Sequence, residues 1–157
     1  MGKTDTSKAE DVQYYFHKAL TEEGQKARCT VVFVHGLRGH ASIHKFFFEQ
    51  LNFDLLGHGY SSGERCSIDD YRQHVVVVWH SIIRALREHI PLGIPVVIMG
   101  YSYGFSLVVH ALSELIAKHA SIERIIHKRV ALVIGLSPAF KVGHTASPLV
   151  RFFAPVL

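Results

Sequence analysis

Three apolar, β-branched runs constrain this chain more than any other feature: "RCTVVFVHG" (28–36), "IPVVIMG" (94–100) and "RVALVIGLSP" (129–138). A strand with one wet face alternates apolar and polar residues. A run that is apolar throughout needs cover on both faces, as a parallel strand between helices has. The intervening segments supply such helices. "IDDYRQHVVVVWHSIIRALREHI" (68–90) opens on two acids near a helix N-terminus and repeats Val75, Val78, Trp79, Ile82, Ile83 and Leu86 at helical spacing. "SLVVHALSELIAKHA" (106–120) reads as a second helix, and "VQYYFHKA" (12–19) alternates as an edge strand does. Strands joined through helices make right-handed crossovers, so the expected fold is α/β with a mostly parallel sheet. At 157 residues the chain fits one domain.

Chemistry in such a sheet collects at the carboxyl ends of the strands. Three Gly-rich segments fall at or near those ends: "HGLRGH" (35–40), "DLLGHGYSSG" (54–63) and "GYSYG" (100–104). The last places Ser102 between an apolar strand and an apolar helix, with Gly100 and Gly104 two residues to either side. A nucleophilic serine at a strand-to-helix turn needs strained backbone, and glycines where a Cβ would strike the neighbouring strand and helix. Acyl transfer also needs two N–H donors for the oxyanion. The residue after the nucleophile, Tyr103, and the loop after the first buried strand, at Leu37, are the expected donors. His35 reads as a turn residue that hydrogen-bonds its own loop.

Composition excludes other classes. The net charge is +4, but the 17 Lys and Arg are scattered, and the longest basic cluster, "ERIIHKR" (123–129), contains a Glu. No nucleic-acid partner is expected. Cys29 and Cys66 suggest no disulfide framework, which suits a reducing compartment. His40 and His44 stand at i, i+4 without a third ligand, so no metal is expected. Gly2 and Thr6 meet a loose myristoylation pattern that reads as chance. The N-terminus lacks an apolar targeting core, and no run reaches the ~18 apolar residues of a membrane span. The chain therefore reads as soluble and cytoplasmic. Peripheral membrane contact and oligomeric state stay open.

Together, "VVFVHGLRGH", "FDLLGHGYSSG", "DDYRQHV" and "VVIMGYSYGFSLV" resemble the α/β-hydrolase superfamily in its monoglyceride lipase/lysophospholipase-like, serine aminopeptidase-type branch. The resemblance runs from about Val12 to the last residue. It implies a cofactor-free serine hydrolase acting on acyl esters such as monoacylglycerols or lysophospholipids. Ser102 matches the nucleophile, Leu37 and Tyr103 match the oxyanion-hole donors, and Gly57-His58-Gly59 matches a loop that braces the site.

Two departures from the family pattern stand out. If "SIHKFFFEQL" is the family's helix, only Asn52 and Phe53 separate it from Asp54. A strand of ~5 residues and its loop do not fit there. Alternatively "KFFFEQL" becomes the strand and the helix is lost. The expected fold is thus a partial α/β-hydrolase lacking its C-terminal strands and one internal strand. The second departure concerns the triad, which needs an acid and then a His after the nucleophile. After Ser102 the only acids are Glu114 and Glu123. Glu114 lies ~18 Å along the helix at 1.5 Å per residue, and Glu123 precedes a strand at the opposite edge of the sheet. Only His144 follows the carboxyl end of a later strand, as a stand-in base. The expected organisation is a tail (1–11), an incomplete hydrolase core (12–140) and the start of a truncated lid (141–157). Two functions fit: a serine ester hydrolase with weak or no turnover in this chain, or a non-catalytic module that binds an acyl ligand or a protein.

Overall fold

Thr30–Val34, the first of the apolar runs, is the middle strand of a sheet that has five strands among the described residues. The computed structural model describes residues 14–16, 28–41, 50–67, 70–118 and 120–138. In chain order the elements are β1 (Tyr14–Phe16), β2 (Thr30–Val34), β3 (Gln50–Phe53), α1 (Tyr71–Arg84), β4 (Val96–Tyr101), α2 (Tyr103–Lys118), α3 (Ala120–Arg129) and β5 (Val130–Leu136). The sheet order is β1-β3-β2-β4-β5; β3, β2, β4 and β5 run parallel, and β1 is antiparallel on the β3 edge. The mostly parallel α/β sheet expected from the sequence is present. The proposed tail (1–11) and lid (141–157), His144 included, lie outside the described residues.

Burial follows the reading for the central strands. Val32, Phe33 and Val34 are consecutive and all buried, so β2 is covered on both faces, and β4 contributes Val96, Ile98 and Met99. In α1 the predicted stripe is buried at Val75, Val78, Ile82 and Ile83, with Trp79 packed against the core at its rim, and it continues to the buried Leu86 just after the helix. Asp70 caps this helix, its carboxylate accepting from Arg72 N–H at 2.8 Å. The last turn widens over Ala85–His89, where Ile90 N–H reaches back five residues to the Ala85 carbonyl.

Three points differ from the sequence expectation. The internal strand is present: Gln50–Phe53 pairs in parallel with β2, and Asn52 is buried within it. Its first two residues end the alternative strand "KFFFEQL"; it runs on through Asn52, a poor strand former, because partners on both edges supply the backbone bonds. β5 was expected to be buried, yet Ala131, Leu132 and Val133 are exposed and only β4 pairs with it among the described residues. The segment before it, read only as a basic cluster, is the helix α3, whose Ile122, Ile125 and Ile126 face the core.

Arg129 joins α3 to the end of α1. Its guanidinium donates to the carbonyls of Leu86, Ile90 and Pro91, the last two at 2.8 Å. These oxygens terminate a helix and have few other donors. Arg129→Ala is expected to cost about 2–3 kcal/mol in urea denaturation, because bonds from a charged donor are lost together. A loss under about 0.5 kcal/mol would show that the clamp is idle. Among the described residues no helix is long and apolar enough to cross a membrane.

Candidate active site

The carboxyl ends of β2, β3 and β4 bring three loops together, and backbone proximity locates the seam. Ser102 is the single residue between β4 and α2, with φ 51°, in the left-handed region that favours glycine. This is the sharp, strained turn expected of it. Its N–H donates to the Leu136 carbonyl of β5 at 2.8 Å, and its own carbonyl accepts from Phe105 N–H at 3.1 Å. The Ser102 amide is therefore committed to the sheet. Tyr103, by contrast, begins α2, where helix geometry leaves N–H groups without intrahelical partners.

The β2 loop lies directly against this turn. A Cβ on Gly36 would stand 3.0 Å from the Tyr101 carbonyl oxygen and 3.2 Å from the Ser102 Cβ. Leu37, next in sequence, is half exposed, as is Tyr101, so the rim is open to solvent. The structure thus brings Ser102, Tyr103 and the Leu37 loop to one place. Among the described residues no imidazole or carboxylate is hydrogen-bonded to the Ser102 hydroxyl. Glu114 lies within α2, and Glu123 lies in α3 beside His127, ahead of β5. His144 is outside the described residues.

The third loop, after β3, is built on a buried carboxylate. Asp54 accepts from Ala41 N–H at 2.6 Å and from Tyr60 N–H at 2.9 Å, while its carbonyl accepts from the Ser61 hydroxyl at 2.7 Å. Gly59, at φ 50°, lets the carboxylate in, since a Cβ there would sit 2.1 Å from Oδ2. His58 is buried in the same loop with its Nδ1 on the Leu56 carbonyl. The Asp54 carboxylate thus closes its own turn at Tyr60 and ties this loop to the β2 loop at Ala41.

His35 is the residue whose importance the sequence understated. Its Nδ1 lies 2.8 Å from the Gly36 carbonyl, the expected bond within its own loop. Its Nε2 also accepts from Leu55 N–H at 3.0 Å, tying this loop to the next one. A His at the end of a buried strand, followed by Gly, was the available signal. The ring is buried, and desolvation lowers its pKa to about 4; His58 and His40 add to the lowering, while the Gly36 bond and Asp54 oppose it. An unfolded His titrates near 6.5, so between pH 6.5 and 4 the unfolded chain binds more protons. This group's contribution is therefore complete above 6.5 and is lost as pH falls to 4, by about 3 kcal/mol at most. Denaturation midpoints of wild type and His35→Asn between pH 7 and 4 should converge accordingly. Parallel profiles would contradict the assignment.

Among the described residues no group of His, Cys, Asp or Glu could hold a metal ion. A family model, "Serine aminopeptidase, S33", matches residues 25–157. The fold is similar to that of a lipase-esterase related protein from Clostridium acetobutylicum ATCC 824 (TM-score 0.55, 22% identity, over 82% of this chain and 47% of that one). It is also similar to a soluble variant of monoglyceride lipase from Saccharomyces cerevisiae, solved with a substrate analog (TM-score 0.62, 18% identity, over 92% of this chain and 44% of that one). The chain spans less than half the length of these structures. No curated protein matches it. With the strained serine turn, the braced Asp54 loop and the parallel sheet in place, the matched span of 25–157 assigns the chain: it belongs to the serine aminopeptidase S33 family of α/β-hydrolases.

Proposed function

We propose that the chain carries the nucleophile and oxyanion half of a serine ester hydrolase, for acyl esters such as monoacylglycerols or lysophospholipids. The observation that carries the reading is Ser102 at φ 51° between β4 and α2. Such backbone strain persists where surrounding structure enforces it, and it presents the hydroxyl at the sheet edge. In the proposed reaction the Ser102 Oγ attacks the ester carbonyl and the N–H groups of Leu37 and Tyr103 hold the oxyanion. The C–O bond to the leaving group breaks as the Oγ proton passes to it, giving the free alcohol; water then attacks the acyl-serine, its OH completing the acid and its proton returning to Oγ. No metal or other cofactor takes part. A cytoplasmic location with peripheral membrane contact through a lipid substrate belongs to the same reading.

Turnover by this chain is expected to be feeble. The sequence has no Asp after Ser102, and its two later Glu residues lie away from the turn. That leaves His144 as a stand-in base. A hydroxyl without a base relies on the oxyanion hole and binding, which alone give ~10³–10⁴ over water. The lack of any imidazole on the Ser102 hydroxyl among the described residues favours a second reading, a non-catalytic module that binds an acyl ligand or a protein.

Hydrolysis of p-nitrophenyl butyrate separates the two. The ester reading expects slow p-nitrophenol release by the 157-residue chain that disappears in Ser102→Ala. Equal rates in the two proteins would leave the binding module as the function.

A further inference from the structure

We infer that His35 is a positioning residue for the oxyanion hole: its imidazole, held in one tautomer, sets the direction of the Leu37 N–H. The inference rests on the hydrolase reading above and deepens it. Leu55 N–H donates to Nε2 at 3.0 Å, so that nitrogen carries no proton. In the neutral ring the proton is then on Nδ1, and it points at the Gly36 carbonyl oxygen, 2.8 Å away.

That carbonyl belongs to the same peptide unit as the Leu37 N–H. In a trans peptide the two bonds point in opposite directions within one plane. Holding the Gly36 oxygen therefore aims the Leu37 N–H away from the imidazole. The oxygen is held twice, since Gly39 N–H also donates to it at 3.1 Å. Two donors on one carbonyl polarise the peptide and strengthen its N–H as a donor. The unit is also anchored in space: Gly36 lies against the Tyr101 carbonyl and the Ser102 Cβ. At its other end the imidazole is fixed to Leu55, which is fully buried and whose carbonyl accepts from His58 N–H. His35 thus transfers the rigidity of the Asp54 turn to the oxyanion loop, without touching a substrate. The charged or titratable groups around it are Asp54, His58 and His40.

Two half-replacements separate positioning from simple packing. His35→Asn puts an amide N–H near the Nδ1 position and gives up the Leu55 bond. His35→Gln puts an amide oxygen near the Nε2 position and gives up the donor to Gly36. With p-nitrophenyl butyrate, His35→Gln should lower the Ser102-dependent kcat by about 10-fold or more with little change in KM, because an aimed oxyanion donor acts on the transition state. His35→Asn should recover most of that loss, although both variants melt below wild type. A kcat that falls equally in both, or in neither, overturns the inference while leaving the hydrolase reading intact. A wild-type rate equal to that of Ser102→Ala overturns both. Should either variant fail to fold, imidazole ¹⁵N spectra of the wild-type chain at pH 7 decide. A protonated Nδ1 and a bare Nε2 on His35 support the inference, and a protonated Nε2 overturns it.

Discussion

Gly104→Ala is expected to lose more than about 4 kcal/mol of stability, most of what a marginal domain of ~5 kcal/mol possesses. A Cβ at this position would stand 2.3 Å from the His35 carbonyl oxygen and 2.4 Å from that of Val34. Both oxygens are backbone at the carboxyl end of the central strand, so neither can swing aside. Alanine would gain about 1 kcal/mol in helix propensity over glycine, and the clash exceeds that gain several-fold. The only relief is to push the N-terminus of α2 away from β2. That movement also separates Tyr103 and Ser102 from the Gly36 loop, so any folded fraction should lose Ser102-dependent ester hydrolysis. Urea denaturation measures the first effect. A variant within about 1 kcal/mol of wild type would show that the seam between β2 and α2 is looser than its geometry implies.

Asp54→Ala should cost about 3–5 kcal/mol. The carboxylate is buried and accepts the Ala41 and Tyr60 N–H groups, so truncation orphans two donors inside the protein. Each lost bond to a charged acceptor contributes about 1.5–3 kcal/mol. Asp54→Asn keeps the shape and one acceptor but turns an NH₂ toward the other N–H, so roughly half the loss should remain. Denaturation of the pair checks this ordering. An Asn variant worse than Ala would mean that the turn relaxes on truncation. The Asp54 turn also holds Leu55, the anchor of His35, so its loss should slow ester hydrolysis in the protein that stays folded.

Parts of this architecture were legible because they are local. Val31 to Val34 and Val96 to Met99 are β-branched or large and apolar at every position, the pattern of a strand covered on both faces. The Ser102 turn was legible for a similar reason: Gly100 and Gly104 are demanded by contacts two residues from the serine. A Cβ on Gly100 would meet the Phe105 backbone at 2.4 Å.

Other features were not written in any local pattern. Gln50–Phe53 carries little strand preference and becomes a strand because β1 and β2 offer backbone partners on either side. Asn52 is buried there because its amide N–H reaches the Ala41 carbonyl, 3.0 Å away across the sheet end. The composition of β5 matches a buried strand, but burial depends on neighbours, and among the described residues it has one strand partner. His35 shows the division within a single side chain. Its bond to Gly36 joins adjacent residues and was expected from sequence; its bond to Leu55 spans 20 positions and exists only because β2 and β3 lie in register. The sequence by itself determined the central parallel strands β2 and β4 and the strained serine, since steric demands within a few residues settle both. Tertiary structure decided which loops brace that serine and how its oxyanion loop is held, because hydrogen bonds between distant residues form only where packed strands bring their ends together.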